Sequence, residues 1–93
     1  MYIFSANGTA RVDRDDIRKG DRKPFIVYID YVDRFGAEQL CKVYLMRAGF
    51  TDIEIENHKF VGESLRKDPR VVEADKAMQA AIKGGYMIQM FDE

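Results

Sequence analysis

Asp52-Ile53-Glu54-Ile55-Glu56-Asn57-His58-Lys59-Phe60-Val61-Gly62 is the stretch whose reading decides the fold. Residues 52–56 alternate strictly, Ile53 and Ile55 to one side and three carboxylates to the other, which is the period of a half-buried strand. Asn57-His58 then reads as a two-residue turn into a second short strand over 59–62, with His58 at the hairpin tip, where residues tolerant of positive φ are common.

The pattern extends outward from that hairpin over residues 24–91. Phe25–Val32 is β-branched and aromatic, apolar on both sides apart from Asp30, which suits a central strand. Asp33 is placed to cap a helix over 34–48 by accepting from free N–H groups of its first turn. Ala37, Leu40, Cys41, Tyr44, Leu45 and Ala48 form its apolar stripe. Arg47 suits the negative end of the dipole, and Gly49 can supply the left-handed residue that stops the helix. Asp68 caps a second helix with Pro69 at its first position, where a missing N–H costs nothing. Val71, Ala74, Met78, Ala81 and Ile82 form its stripe, Lys83 and Gly84-Gly85 end it, and Tyr86–Phe91 is a closing strand.

Strand, helix, hairpin, helix, strand is the order of a ferredoxin-like split βαβ unit in an α+β domain. Right-handed crossovers would place both helices on one face of its antiparallel sheet. Ahead of this βαββαβ core, residues 1–12 read as a hairpin, Tyr2–Phe4 against Ala10–Val12, turning at Asn7-Gly8. Residues 13–23 are nearly all charged, with Ile17 as the sole apolar anchor. They read as a mobile loop with room for one helical turn at Asp15–Lys19. Residues 1–93 are expected to form one domain, since 93 residues leave no room for a second core.

Hydrophobic content of 46% with 33% charge fits a globular chain rather than a disordered one. Phe25–Ile29, the longest apolar run, is far too short to span a bilayer, so no membrane partner is expected. Met1-Tyr2-Ile3-Phe4 runs into turn residues instead of a signal-type apolar block, and a single cysteine suits a reducing compartment; a cytoplasmic location is expected. The net charge of −1 is unevenly spread. Residues 11–23 hold six bases against four acids, and the rest nine bases against twelve acids, a basic arm on an acidic body.

Cys41 and His58 are the only thiol and the only imidazole, but Cys41 lies on an apolar helical stripe, where cysteine behaves as a small hydrophobe. His58 with Glu54 and Glu56 lacks the ligand count zinc requires, so neither a metal nor another cofactor is expected. Gly84-Gly85 and Lys19-Gly20-Asp21 lack the spacing of a phosphate loop. Asp30 is the one acid inside an apolar strand, read as lying near water or paired with an arm residue such as Arg14 or Arg18.

With both helices on one face, the open face would show Tyr28, Asp30, Asp52, Glu54, Glu56, Met87, Gln89 and Phe91. Its carboxylates would repel a phosphate backbone, which argues against direct nucleic-acid binding. Its mixture of apolar area and acids suits a protein, either a foreign one or a second copy of the chain. The leading expectation is a non-enzymatic interaction module, concretely a stand-alone inhibitor of the kind phages and mobile elements encode. It would dock that surface onto a basic groove that normally receives nucleic acid. The charged arm (Arg14, Arg18, Lys19, Arg22, Lys23) is a secondary surface, for acidic protein or RNA. The rival expectation is a small homodimeric enzyme or ligand-binding domain whose open-face pocket uses Tyr28, Asp30 and Gln89.

Overall fold

The computed structural model describes residues 1–91 and shows an α+β protein. Its elements are β1 (Tyr2–Ala10), β2 (Arg22–Ile29), α1 (Arg34–Arg47), β3 (Phe50–Phe60), α2 (Glu63–Arg66), α3 (Pro69–Ala74), α4 (Lys76–Gly84) and β4 (Tyr86–Met90). The strands form one antiparallel sheet in the order β3-β1-β2-β4.

Neither expected hairpin forms. The N-terminal segment is a single central strand, and Asn7-Gly8 lies inside it, paired to β2 and β3. Gly8 is there for close approach rather than for a turn: an added Cβ would come within 3.2 Å of Phe50 and 3.3 Å of Ile53. Residues 50–60 likewise run as one strand. Its register against β1 slips twice, leaving Glu56 as an extra residue and setting Asp52 and Ile53 against Gly8 alone. These bulges put Phe50, Ile53, Ile55, His58 and Phe60 on one face although their spacings in sequence are uneven. The parity break read as a turn at Asn57-His58 is therefore a bulge at Glu56. His58 sits in the strand, 6.2 and 6.4 Å from the rings of Tyr2 and Phe4.

The helices do not share a face. Ala37, Cys41 and Leu45 of α1 pack on Phe4, Ala6, Phe25, Val27 and Ile29. Ala77, Met78 and Ala81 of α4 pack with Tyr28, Ile3, Ile26 and Met87 on the opposite side. Period-two alternation along β1 and β2 requires those two residue sets to point to opposite faces. The second helix of the sequence reading is also broken into pieces. Asp75 leaves the helical region (φ −121, ψ 97), ending α3 and capping α4 through its bond from the Met78 N–H.

Local signals hold where the long-range ones fail. Asp33 caps α1 by accepting from the Gly36 N–H at 2.7 Å, and Asp68 caps α3 with Pro69 at its start. Gly49 and Gly85 adopt φ of 102 and 93 at the helix ends. β2 stops at Ile29, so Tyr31 and Val32 fall outside the strand, and it begins at Arg22, inside the expected loop. No helix forms at Asp15–Lys19 either. Arg14 and Ile17 exchange backbone bonds of 2.8 and 2.7 Å around Asp15, and the Lys19 N–H reaches Asp13. The arm carries hydrogen bonds of its own.

Candidate interaction surface

The short helices α3 and α4 cover only part of their face of the sheet. Nine residues of strand extend about 30 Å, whereas nine residues of helix extend about 13 Å. The inward-facing odd positions of β1 grade accordingly, from Ile3 under the helix to Ser5, Asn7 and Thr9 beyond it. Around that uncovered half lie Pro24 and Ile26 of β2, Glu56 of β3 and Phe91, which with Ser5 and Asn7 line a hollow of about 430 Å³.

The sheet edge next to this half-face is β3, with β1 its only strand partner among the described residues. Asp52, Glu54 and Glu56 are all exposed along it. Both bulges recruit an acid: Asp52 takes φ 50, a left-handed conformation that aspartate tolerates better than most residues, and Glu56 is the unmatched residue of the other. Glu56 accepts a hydrogen bond from the Asn7 side-chain amide. Arg22 reaches across β1 from β2, donating to Thr9 Oγ1 at 3.0 Å and to the Asp52 carbonyl at 3.1 Å. Its other nitrogen lies 3.7 Å from Glu54, with the two side chains 42% and 70% exposed. A pair that open is worth about 0–1 kcal/mol and leaves Glu54 available. On the α1 side, Glu38 and Lys42 join Glu54, Glu56, Asn57 and His58 around a groove of about 550 Å³. Three carboxylates there face one ammonium group.

Of the eight residues expected on the open face, Glu54, Glu56 and Phe91 border the uncovered half, and half-buried Gln89 lies on its side of β4. Asp52 is at the base of the same edge. The remaining three lie elsewhere. Tyr28 is buried and donates its hydroxyl to Asp75 at 3.0 Å. Burial first, then that bond, pushes its pKa up to about 12. Met87 packs in the cluster beneath α4. Asp30, just past β2, accepts two bonds from the Arg66 guanidinium at 2.8 and 2.6 Å, and these hold its carboxyl below the usual range. Its partner is thus Arg66 rather than Arg14 or Arg18, and a carboxylate so held is a poor base. Cys41 is fully buried, which pushes its thiol up to about 12.

Arm residues divide between roles. Arg22 belongs to the sheet, Arg18 and Lys19 bond through their backbone N–H groups to Asp21 and Asp13, and Lys23 pairs in register with Gly8. Arg14 lines a separate cleft of about 300 Å³ with Asp15 over Ile17, Phe25, Phe50 and Ile88. Sequence reasoning passed over Arg66, Asp75 and Glu38. Asp75 had a usable signal, an aspartate three residues before Met78 where a cap belongs. Arg66 had none, because its partner lies 36 positions away.

Among the described residues no cluster of His, Cys, Asp and Glu is arranged to hold a metal, and no helix is long and apolar enough to cross a membrane. In comparisons with protein-family models, curated proteins and solved structures, nothing matches this chain.

Proposed function

We propose that the chain is a non-enzymatic interaction module that docks its acidic edge and the adjoining half-face onto a basic surface of another protein. The observation that carries this reading is the long edge strand β3, its exposed carboxylates Asp52, Glu54 and Glu56 continuous with sheet surface that α3 and α4 leave uncovered. Phe91 and Ile26 contribute apolar area at the rim, and the acids contribute steering and register. A nucleic-acid-binding groove of a larger complex is the partner surface this charge pattern suits, and occupying it would make the protein an inhibitor, as phage- and mobile-element-encoded proteins can be. The β2–α1–β3 connection, which skips over β1, is like one half of a ferredoxin-like sandwich, a likeness that carries no function of its own.

The rival reading, a ligand pocket built on Tyr28, Asp30 and Gln89, has less support, because the first two groups are already engaged by Asp75 and Arg66. The test is retention of a stoichiometric partner from native lysate by the wild type and by E54K/E56K. The expected result is loss of that partner from the double variant, with its melting temperature nearly unchanged. Equal retention by both would remove the proposal.

A further inference from the structure

The outer edge of β3 offers more than charge. In an antiparallel sheet alternate residues of an edge strand direct their N–H and C=O groups away from the neighbour, a row that another extended chain can complete. β3 is eleven residues long, and among the described residues its ladder is completed only on the β1 side. The groove carrying Glu38, Glu54 and Glu56 runs beside this edge, with Lys42 its one ammonium group and His58 its one imidazole. Lys59 lines the hollow on the other side, with Ile3 and Ser5. Beyond the groove the same side ends in large exposed apolar groups. Phe60 is 56% exposed at the end of β3, and Phe35, 66% exposed, lies one helical turn before Glu38 on α1.

We infer that β3 binds an extended basic segment of the partner by strand addition, backbone to backbone along Ile53–Phe60, with lysine or arginine side chains over Glu38, Glu54 and Glu56. This inference rests on the interaction reading above and specifies its mode. A second copy of the chain fits the edge less well. Antiparallel pairing of two β3 strands about Ile55 sets Glu54 of each copy opposite Glu56 of the other, and like charges directly opposite are destabilising.

The probe is a short synthetic peptide alternating lysine and valine, compared with the same peptide N-methylated at every second residue. N-methylation keeps the charge and removes the donors that strand pairing needs. The unmodified peptide is expected to bind, to slow exchange of the outward-directed amides on either side of the Glu56 bulge within residues 53–60, and to bind E54K/E56K about tenfold more weakly. The N-methylated peptide is expected to lose binding. Equal binding of the two peptides, or binding without protection of β3 amides, overturns strand addition while leaving the charge-based reading intact. Failure of both peptides, with the lysate partner still lost from E54K/E56K, overturns the strand mode alone. Retention of that partner by the double variant overturns the interaction reading itself. Protection of the same amides with rising protein concentration and no peptide overturns the inference in favour of a second copy.

Discussion

The two faces of the sheet are built from the same alternating strands and end in opposite ways. On the α1 side the central positions are apolar, from Phe4, Val27 and Ile29 to Ala37, Cys41 and Leu45, and all of these are essentially inaccessible to solvent, while His58 and Phe60 toward the end of β3 are exposed. On the α4 side the apolar set stops halfway, and polar groups take over along Ser5, Asn7 and Thr9. The first face is covered by the fourteen residues of α1, whereas the second is covered by the nine of α4 together with Val71 and Val72 of α3. The centre of one face holds the fold together, and half of the other, together with the β3 edge between the two, is left open. Mutations that separate stability from surface chemistry test that division.

The largest effect is expected on the closed face. Leu45→Ala removes a fully buried side chain from the α1 layer and should cost about 2–5 kcal/mol in denaturant unfolding, depending on how far the site collapses. Cys41 gives a companion measurement. A buried thiol held near 12 should react with an alkylating reagent only as fast as the protein opens, and Leu45→Ala should accelerate that labelling. Rapid labelling of the wild type would show that this face is not closed.

At the sealed half of the second face the expected costs are smaller and depend on pH. Arg66→Ala strips two charge-assisted hydrogen bonds from Asp30, whose side chain is only 16% exposed, and should cost about 1–3 kcal/mol near neutral pH. A carboxyl whose folded pKa is depressed adds stability above its unfolded value, about 3.9, and loses it as pH falls through the folded value. The gap between wild type and variant should therefore close as pH falls below about 4. A gap independent of pH would mean that the pair acts through packing alone. Tyr28→Phe should cost about 1 kcal/mol by removing the bond to Asp75. Here the sign reverses. The folded pKa is raised to about 12, so the tyrosine's contribution is complete below its unfolded value near 10 and is lost as pH rises through about 12. Wild type should lose stability relative to Tyr28→Phe across that window.

Those partners also mark where sequence reading works and where it stops. The caps at Asp33 and Asp68 and the helix ends at Gly49 and Gly85 were legible because each is decided within a turn of chain. So were the alternating strand residues and the core position of Cys41. The join at 56–58 was not, because a bulge and a turn both appear in sequence as a break in period-two alternation. Only the pairing of residues 57–60 with Tyr2–Ser5 distinguishes them. Asn7-Gly8 misled for a related reason. A pair that favours hairpin turns also fits a central strand where Phe50 and Ile53 press against the backbone. Which face α4 covers shows only in the packing of Ala77, Met78 and Ala81 with Ile3, Ile26 and Tyr28, contacts between residues far apart in sequence. The acidic row was therefore readable as residues, while its place on an edge strand was not.

The smallest stability effect is expected on that row, and it is the one that bears most directly on function. Glu54 has a distant, exposed partner in Arg22, and Glu56 has the side-chain amide of Asn7 at the surface. Neutralising both with E54Q/E56Q keeps shape and hydrogen-bonding capacity and should shift unfolding free energy by no more than about 0.5 kcal/mol. Binding to a basic partner should nevertheless weaken, with the loss concentrated in the association rate and shrinking as salt is raised, since exposed charges beyond about 8–10 Å are screened at physiological ionic strength. Stopped-flow association at two salt concentrations separates these terms. If the double variant instead destabilises the fold by as much as Arg66→Ala does, the carboxylates belong to the architecture of the bulged edge. The contrast between a closed face and an available one would then have to be redrawn inside β3 itself.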